Sequence, residues 1–448
     1  MAEPRRHLGV GAAFSVLVQG GPLIAGATLS IVLARTIGPS ANGRFALLGT
    51  LVGLLELVFS LSLSAGIVYE VSRRRWSVRQ AFRTCYTAAL VLGLAAFGVG
   101  LGIFTLLHDS VFDGISTSLA VMALISVPPV LAYLYADAIL LARERYEGFA
   151  GLELSHSATF LVVGAGLAIP FGVTGAVIGL PTAAVVAASV GAFLLTREVT
   201  RETTPDTPGS LARAVRFGLQ SWGANLLQQI NYRFDVLILG AFAGTSDVGV
   251  YSVALTLTAT AWVLPQGLQT VLFPRVASLD EATLAGDASI EESDAGLSKA
   301  IRHGVLLTLP AGLLISVLLL VGVPLLYGPK FHDTAWLGFI LLPGTLMLGV
   351  AKILSSGIVG RGYPRYTLYA GAITVPITLA LYFGLIPPFH AWGAAIASSV
   401  SYGLTGLVLL MYFRRATAVG LREAFVPRTE DVADYVDLLR LVRHRAGN

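Results

Sequence analysis

Long uncharged apolar runs recur along the whole of this 448-residue chain, and they constrain its fold more than any other feature. A run of about 18 or more residues with few charges can cross the ~30 Å hydrocarbon layer of a membrane as a helix. Hydrophobic residues make up 55% of the chain and charged residues only 12%, whereas a soluble domain carries roughly 25% charged residues. The predicted fold class is therefore an all-α integral membrane protein.

The apolar runs predict about twelve transmembrane helices. Their spans are 9–34, 44–69, 82–106, 115–141, 149–169, 172–195, 214–242, 247–273, 303–326, 335–357, 366–387 and 391–413. The first run follows a basic N-terminus, as in a secretory signal, but it continues to about Ala34, which is too long for the apolar part of a signal. We therefore predict that it is retained as the first span.

Arginine placement predicts the orientation, because Lys and Arg are retained on the cytoplasmic side of short loops. Arginines fall in alternate loops or at the termini, and Arg35, Arg44 and Lys330 are the exceptions. The arginines assigned to the cytoplasm are Arg5, Arg6, Arg73, Arg74, Arg75, Arg79, Arg143, Arg145, Arg197, Arg201, Arg213, Arg216, Arg361, Arg365, Arg414 and Arg415. An even number of spans then places both termini in the cytoplasm.

The chain also contains an internal repeat. LARTIGPSANGRFALL near the start is echoed by LGAFAGTSDVGVYSVA, and Gly38 and Gly43 correspond to Gly244 and Gly249, each pair 206 residues apart. Two halves of equal orientation are parallel repeats about an axis along the membrane normal, which places a cavity between lobes that can rock. The predicted domains are an N-terminal lobe (1–198), a cytoplasmic linker (199–211), a C-terminal lobe (212–414) and a cytoplasmic tail (415–448).

Two polar segments lie outside the predicted spans, an acidic loop and the C-terminal tail. The acidic residues of 279–298 are typical of a solvated cytoplasmic loop. In the tail, Thr429 can cap an amphipathic helix that continues to about Val442. Such a helix could lie on the membrane or dock on the rest of the protein, and the sequence does not choose between them.

Several segments together resemble a known family. They are LARTIGPSANGRFALL, NYRFDVLILGAFAGTSDVGVYSVA, LFPRVASL, LLYGPKF and SSGIVGRGYPRY. Their order and spacing resemble those of prokaryotic polysaccharide-biosynthesis flippases, the Wzx-like branch of the multidrug/oligosaccharidyl-lipid/polysaccharide exporter superfamily. The resemblance covers nearly the whole chain.

The resemblance implies an activity and a partner. It implies that the protein moves a sugar carried on a polyprenyl or dolichyl (pyro)phosphate from the inner to the outer leaflet by alternating access, in a prokaryotic cell membrane. The lipid II flippases of the superfamily usually have fourteen spans, so we do not expect this chain to be one. Those relatives line the first lobe with basic residues, whereas the first span here has no cation before Arg35.

Glu56 is the first of the charged residues expected inside the membrane, where an ionisable group costs about 2.5–3.5 kcal/mol. It lies near the middle of the second span, and its counterpart in the repeat is Trp262, so the shared architecture does not require a carboxylate there. Glu56 could bind a coupling H+ or Na+. A protonated or hydrogen-bonded side chain that fixes helix packing is the alternative.

Arg233 and Asp235 lie in the seventh span, in NYRFDVL. Two residues apart on a helix, they point about 200° from each other, so each needs another partner. Arg233 is the leading candidate for a phosphate contact, because its planar fork binds phosphoryl oxygens in pairs. A structural ion-pair network is the alternative for both residues.

Further polar residues complete the candidates for a substrate or coupling-ion site in the central cavity. Lys352 and Asp137 fall toward the cytoplasmic ends of their spans, where snorkelling would explain either without function. Uncharged hydrogen-bonding groups come from Gln19, Asn225, Gln228, Gln229, Asn231 and Gln266. Bonding between helices is their common use, and sugar contact is the functional alternative.

Other classes of protein are not favoured. Cys85 is the single cysteine, and no histidine has companions at metal-ligand spacing, so we expect neither a metal nor a cofactor. We expect no nucleic-acid partner, and the chain has no nucleotide-binding glycine loop and no G-x-S-x-G motif, so an enzyme is disfavoured. The remaining alternative is a cation-coupled multidrug or small-solute antiporter of the same superfamily, whose pocket Glu56, Asp235 and Trp262 could supply.

Overall fold

The computed structural model describes residues 3–201, 211–262, 290–361, 363–417 and 419–431. Within these ranges its side chains are described from residue 20 onward, apart from scattered helical positions. Helix is the only regular secondary structure in the described ranges, so the all-α prediction is confirmed. Residues 202–210 of the predicted linker (199–211), most of the acidic loop and the tail beyond Asp431 lie outside these ranges, while residues 199–201 and 211 belong to helices.

The longer elements follow the predicted spans closely. They are α1 (Glu3–Thr36), α2 (Pro39–Ser60), α3 (Leu63–Ser72), α4 (Val78–Leu106), α5 (Thr117–Leu124), α6 (Val127–Ala142), α7 (Tyr146–Thr159), α8 (Gly166–Phe171), α9 (Val173–Arg201), α10 (Leu211–Ala259), α11 (Ile290–Val317), α12 (His332–Gly360), α13 (Pro364–Ala416) and α14 (Leu421–Phe425). Short π-helical segments, Phe160–Ala165 and Leu318–Tyr327, continue α7 and α11.

Two of these elements are helical hairpins. Gly244, with φ 79° and ψ 175°, breaks α10 at the predicted outer turn. The Tyr251 hydroxyl donates to Asp235 across this break, and two residues sixteen positions apart on one straight helix would be separated by about 24 Å. The chain therefore folds back at Gly244, and His390 divides α13 in the same way.

Nine segments of the described chain are long and apolar enough to cross a membrane, and both hairpins are among them. A shorter apolar helix, Gly20–Thr36, precedes these segments. The multi-pass membrane architecture is thus confirmed, while the number of twelve spans, the cytoplasmic termini and the orientation stay predictions. Below, "outer" and "inner" refer to that predicted orientation.

The second span consists of two helices rather than one. Leu61 and Ser62 both take left-handed backbone angles, with φ of 49° and 46°, and they separate α2 from α3. Left-handed angles are sterically unfavourable for residues other than glycine and cost of order 1 kcal/mol each. The break exposes the carbonyl oxygens of these two residues to Gly218 of α10, whose missing side chain makes room for them.

Two segments at the inner surface of the C-terminal lobe, residues 290–298 and the tail, add to the prediction. The first differs from it, and the second decides between two arrangements that the sequence left open. Residues 290–298, predicted as part of a loop, form the first turns of α11, where Asp294 pairs with Arg361. The tail docks on α11 as far as the structure describes it, because Arg302 binds Asp431 in two hydrogen bonds of 2.6 and 3.2 Å. Both side chains are buried, so docking is the arrangement of the tail up to Asp431.

Candidate functional site

The two lobes meet along a line that we call the seam. On the N-terminal side it consists of α2 and α3, and on the C-terminal side it consists of the α10 hairpin. The seam runs through the full predicted thickness of the membrane, from the outer turn at Gly38 to the inner end of α3. It is the place where a cavity between the lobes would open.

Glycines close the outer end of the seam. A Cβ atom on Gly43 would lie 1.7 Å from the carbonyl oxygen of Thr245, and one on Gly249 would lie 1.9 Å from that of Pro39. The contact is reciprocal. Gly43 meets the carbonyl of the residue four positions before Gly249, and Gly249 meets the carbonyl of the residue four positions before Gly43. The Ser40 and Thr245 hydroxyls lie 2.9 Å apart beside it. The internal repeat is thus visible as a two-fold contact.

Glycines also close the inner end of the seam. A Cβ atom on Gly66 would lie 2.1 Å from the carbonyl oxygen of Ala214, and one on Gly218 would lie 2.5 Å from that of Ser62. Small residues allow helix backbones to approach this closely inside a membrane, where close packing replaces the hydrophobic effect as the source of association.

Aromatic rings and charges surround the inner end. Tyr69 and Phe217 stack across the seam with ring centroids 4.4 Å apart. Glu70 is fully buried, and its carboxylate lies 3.9 Å from the Arg213 guanidinium of the other lobe and 4.0 Å from that of Arg75. The inner end therefore joins the lobes through an ion pair as well as through backbone contact.

The structure brings Glu56 and Arg233 within electrostatic range of each other in the middle of the seam. Glu56 lies on α2 and is partly exposed, while Arg233 lies on α10 and is exposed. The Glu153 carboxylate also acts on Glu56. Glu153 escaped the sequence analysis, although it lies four residues inside the predicted fifth span and the same search for charges could have found it.

Glu153 belongs to a polar group inside the N-terminal lobe. The Tyr133 hydroxyl faces its carboxylate, and His156 stacks on the Tyr133 ring with centroids 4.9 Å apart. Asp137 lies close enough to interact with Glu153, and its Oδ1 atom is buried without a hydrogen-bond partner among the described residues. Three carboxylates, including Glu56, therefore meet on the N-terminal side of the seam.

Asp235 occupies a different position from Arg233. It is fully buried in the C-terminal lobe, where its carboxylate accepts hydrogen bonds from the Tyr251 hydroxyl, the Ser398 hydroxyl at 3.0 Å and the Val236 amide at 2.8 Å. These donors tie the two arms of α10 to the second arm of α13. These donors are neutral, which differs from the ion-pair network named as the structural alternative, and the role of Asp235 stays a prediction.

A cavity of about 660 Å³ lies within the C-terminal lobe, between α10, α12 and α13. Its described lining contains two charged residues, Lys352 and Arg365, and both are cations. Uncharged polar groups complete one wall, and they are Asn225, Gln228, Asn231, Thr374 and Thr405.

Lys352 points into aromatic surroundings rather than along its helix to the surface. Its Nζ atom lies 4.9 Å from the Trp262 ring centroid and 5.6 Å from that of Tyr232. Arg365 entered the sequence analysis only as a marker of orientation. Arg365 and Lys352 line the same cavity because α10, α12 and α13 meet there. No local pattern in the sequence therefore joins the two cations.

Asn231 lies at the end of this cavity that is farther from the inner surface, and its side chain is held by several hydrogen bonds. Its side-chain oxygen accepts from the Thr378 hydroxyl at 2.9 Å and from the Ser401 hydroxyl at 2.6 Å, and its amide donates to Thr405 at 3.2 Å. The Tyr382 hydroxyl donates to its backbone carbonyl at 3.0 Å. These four hydrogen bonds hold one polar wall of the cavity in place. They do not test whether Asn231 contacts a substrate.

Two of the predicted candidates lie outside the description. Gln19 belongs to α1, but its side chain is not among those described, and Gln266 falls outside the described ranges. Within those ranges, no three His, Cys, Asp or Glu side chains come together as ligands for a metal ion.

Comparison with known proteins places this arrangement in a family. The profile of a family described as polysaccharide biosynthesis protein matches residues 32–336, which is more than half of the chain. The chain belongs to that family. The family expected from the sequence motifs is therefore confirmed, and the match spans both sides of the seam.

Individual members and solved structures agree with this assignment. The chain is 24% identical to a putative O-antigen transporter of Shigella flexneri over 402 residues, covering 86% of this chain and 93% of the relative. It is 26% identical to the probable flippase AglR of Haloferax volcanii over 215 residues, covering 46% of this chain and 44% of the relative.

The fold is similar to that of two kinds of solved transporter. A lipid II flippase, MurJ, in an inward closed conformation superposes with a TM-score of 0.72 at 13% identity, covering 90% of this chain and 87% of that one. A multidrug resistance MATE transporter in an outward-facing conformation superposes with a TM-score of 0.66 at 17% identity, covering 93% and 97%. At such low identity these likenesses establish the family's two-lobed fold for this chain and nothing finer.

Proposed function

We propose that this protein is a flippase that moves a lipid-linked oligosaccharide from the inner to the outer leaflet, by opening the two ends of the seam alternately. The observation that carries the proposal is the seam itself, which is closed by glycines at both ends and holds Glu56 and Arg233 between them. Membership of the family and the names of the relatives, an O-antigen transporter and a flippase, supply the substrate class.

Glycine contacts suit ends that must separate repeatedly. At Gly43, Gly249, Gly66 and Gly218 a backbone carbonyl rests where a side chain would be, so no side chains interlock at these points. At the outer end, separation therefore requires only that two helices move apart. At the inner end it also breaks the Tyr69–Phe217 stack and the ion pair of Glu70 with Arg213. Two lobes related by an axis along the membrane normal can do this by rocking, which opens one end as it closes the other.

Particular residues then have proposed roles. Arg233 contacts the phosphate or pyrophosphate of the carrier lipid when the seam is open, because it is exposed at mid-seam. Glu56 binds a coupling H+ or Na+, and Asp137 supports it from the same lobe. Gln19, Gln266, Lys352 and Asp235 remain candidates for substrate or coupling-ion contact. The proposed location is the plasma membrane of a prokaryotic cell, and the proposed class is a transporter rather than an enzyme.

One observation favours a second candidate function. The N-terminal side of the seam collects three carboxylates, Glu56, Asp137 and Glu153, beside the aromatic Tyr133. An acidic and aromatic surface is suited to a cationic solute. A cation-coupled multidrug antiporter is therefore the alternative, and the fold is common to both activities.

Reconstitution separates these functions. The full chain in vesicles would be given a fluorescent lipid-linked oligosaccharide, and its appearance in the outer leaflet would be scored with a membrane-impermeant quencher. Wild type is expected to flip the lipid, and Arg233→Ala and Glu56→Gln are expected to flip it more slowly. Absence of flipping by wild type, together with exchange of a cationic dye for protons, would establish the antiporter instead.

A further inference from the structure

We propose that the cavity between α10, α12 and α13 is a binding site for the phosphate-linked sugar head group, with Lys352 as its phosphate contact and Arg365 at its mouth. The proposal rests on the function proposed above and adds a head-group site inside the C-terminal lobe to the phosphate contact proposed for Arg233 at mid-seam. Its basis is the position, charge and hydrogen-bonding chemistry of the lining.

The cavity begins at the inner surface. Arg365 is the second residue of α13 and is exposed. α12 ends at the same surface, and three residues separate it from α13. Lys352 lies eight residues before the end of α12, which corresponds to about 12 Å along a helix. An anion arriving from the cytoplasm would therefore meet Arg365 first and Lys352 deeper in the membrane.

The charge of the lining selects an anion. Lys352 and Arg365 are both positive, and the described lining contains no carboxylate. The Lys352 ammonium contacts the Tyr232 and Trp262 rings, which attract a cation without neutralising it. A cation inside a membrane is costly and is commonly found where an ion or substrate passes. A phosphate would supply the missing negative charge.

The neutral wall of the cavity suits a sugar. Asn225, Gln228 and Asn231 are spaced three residues apart, so they lie along one face of α10. Together they cover about 9 Å of that helix. The Asn225 and Gln228 carboxamides can both donate and accept hydrogen bonds, as sugar hydroxyls require, while the Asn231 side chain is held by its own partners at the end of the row. Thr374 and Thr405 add two further hydroxyls to the lining, one from each arm of α13.

A lipid chain attached to such a head group could stay in the bilayer. Phe217 on α10 and Leu368 on α13 both line the cavity, and both are exposed at the surface. Phe217 also stacks on Tyr69 across the seam, so the cavity reaches the surface of the lobe beside the inner end of the seam. A head group bound at Lys352 and a lipid chain that leaves the cavity past Leu368 are compatible with one ligand.

Phosphate chemistry has three sources in a membrane, and binding measurements can separate them. The probe is a short-chain polyprenyl pyrophosphate that carries one N-acetylglucosamine, bound to the purified full chain in detergent. Its competitors are the same prenyl pyrophosphate without sugar, inorganic phosphate, and vesicles of phosphatidylglycerol. We expect the sugar-bearing probe to bind with higher affinity than any of the three competitors. Equal competition by phosphatidylglycerol or by inorganic phosphate would overturn the assignment to a phosphate-linked sugar.

Substitutions then test the residues. Lys352→Met, which keeps the length of the side chain, is expected to weaken the probe about tenfold or more, as the loss of a hydrogen bond to a charged group does. Lys352→Arg is expected to restore most of the affinity, and Arg365→Gln to slow association more at low salt than at high salt. Arg197→Gln is the matched control, because Arg197 is exposed at the inner end of the other lobe and lies 4.2 Å from the Phe193 ring.

A second variant protects the test against misfolding. Gln228→Leu is expected to weaken the sugar-bearing probe while leaving the sugar-free pyrophosphate unchanged, which a general loss of structure would not do. Wild-type flipping with unchanged binding and flipping in Lys352→Met would overturn this inference and leave the flippase standing. Absence of flipping by wild type would overturn the function itself.

Discussion

The outer and inner ends of the seam are closed by the same kind of contact but have different surroundings. At the outer end, Gly43 and Gly249 are related by the internal repeat and meet reciprocally. At the inner end, Gly66 and Gly218 rest on the Ala214 and Ser62 carbonyls in the same reciprocal way, but the internal repeat does not relate these two glycines. The inner end also includes the fully buried carboxylate of Glu70, which pairs with an arginine of the other lobe.

This difference shows which property controls each end. The described polar groups at the outer end are carbonyl oxygens and two hydroxyls, and none of them is charged. Closure of the outer end therefore depends mainly on the volume of the side chains there. The inner end depends on volume and also on charge, because separating the lobes there breaks an ion pair and admits water to a buried carboxylate. Changes in volume should therefore affect both ends, and changes in charge only the inner one.

The largest effect is expected from added volume at the outer end. Gly43→Ala places a methyl group 1.7 Å from the Thr245 carbonyl, and such overlap typically costs about 1–3 kcal/mol. The closed outer end should become roughly tenfold or more less populated, and lipid flipping should fall accordingly. Flipping in vesicles and labelling from outside of a cysteine at Ile37 would measure this.

Gly49→Ala is the matched control for Gly43→Ala, because Gly49 lies on the same helix and a Cβ atom there would meet nothing within 4 Å. It should flip lipid at the wild-type rate. Normal flipping by Gly43→Ala, with no increase in outside labelling, would show that the outer glycine contact is not needed for closure.

A similar but smaller effect is expected from added volume at the inner end. Gly66→Ala places its methyl group 2.1 Å from the Ala214 carbonyl, a less severe overlap than at Gly43. Flipping should fall, and a cysteine at Ser72 should become more reactive from the cytoplasmic side. Gly53→Ala, where a Cβ atom meets nothing within 4 Å, is the control. Increased labelling from the outside instead would contradict the assignment of the two ends.

Removing charge should affect the inner end alone and by less. Glu70→Gln removes an ion pair whose Arg213 partner is half-exposed, and such pairs contribute roughly 1 kcal/mol or less. Labelling at Ser72 should rise by a few-fold while labelling at Ile37 stays unchanged. Glu147→Gln, an exposed carboxylate at the inner surface, is the control. An equal change at both ends would remove the distinction between them.

The smallest effect on the seam is expected from Asp431→Asn, which lies away from it. Arg302 donates hydrogen bonds to Asp431 and holds the pKa of that carboxyl below its ordinary value. Its contribution to stability is therefore complete above the ordinary value of about 3.9 and is lost as the pH falls through the lowered pKa of the folded state. The melting temperature in detergent should fall over that acid range in wild type and depend less on pH in Asp431→Asn.

At neutral pH, Asp431→Asn should lower the free energy of unfolding by about 3 kcal/mol, since it leaves the buried Arg302 without its charged partner. Labelling at both ends of the seam should remain as in wild type. Altered labelling at either end would show that the tail controls the seam.

The outer end of the seam was the part of the site most accessible from the sequence. Gly43 and Gly249 could be paired because they occupy equivalent places in two similar segments, and a two-fold axis brings equivalent places together. Gly66 and Gly218 carry no such signal, since they meet across helices that the repeat does not equate. Hydropathy predicted the helices, but it does not record which faces of them touch.

The charged positions show the same division. Glu56 and Arg233 were found individually, because a charge in an apolar run is visible in one dimension. Their proximity, the addition of Glu153, and the enclosure of Asp235 among hydroxyl donors depend on the packing of four elements, α2, α7, α10 and α13. Lys352 and Arg365 likewise share a cavity only because α12 and α13 converge on α10.

The account depends on the two ends of the seam opening alternately, and paired distances test this most directly. Spin labels at Ile37 and Ser246 would report the outer end, and labels at Ser72 and Ala212 the inner end, in the full chain in vesicles with and without a lipid-linked oligosaccharide. We predict that whenever one distance lengthens, the other stays short, and that the substrate shifts the balance between them. Two distances that lengthen together, or a seam that stays closed at both ends while lipid is being flipped, would contradict the account.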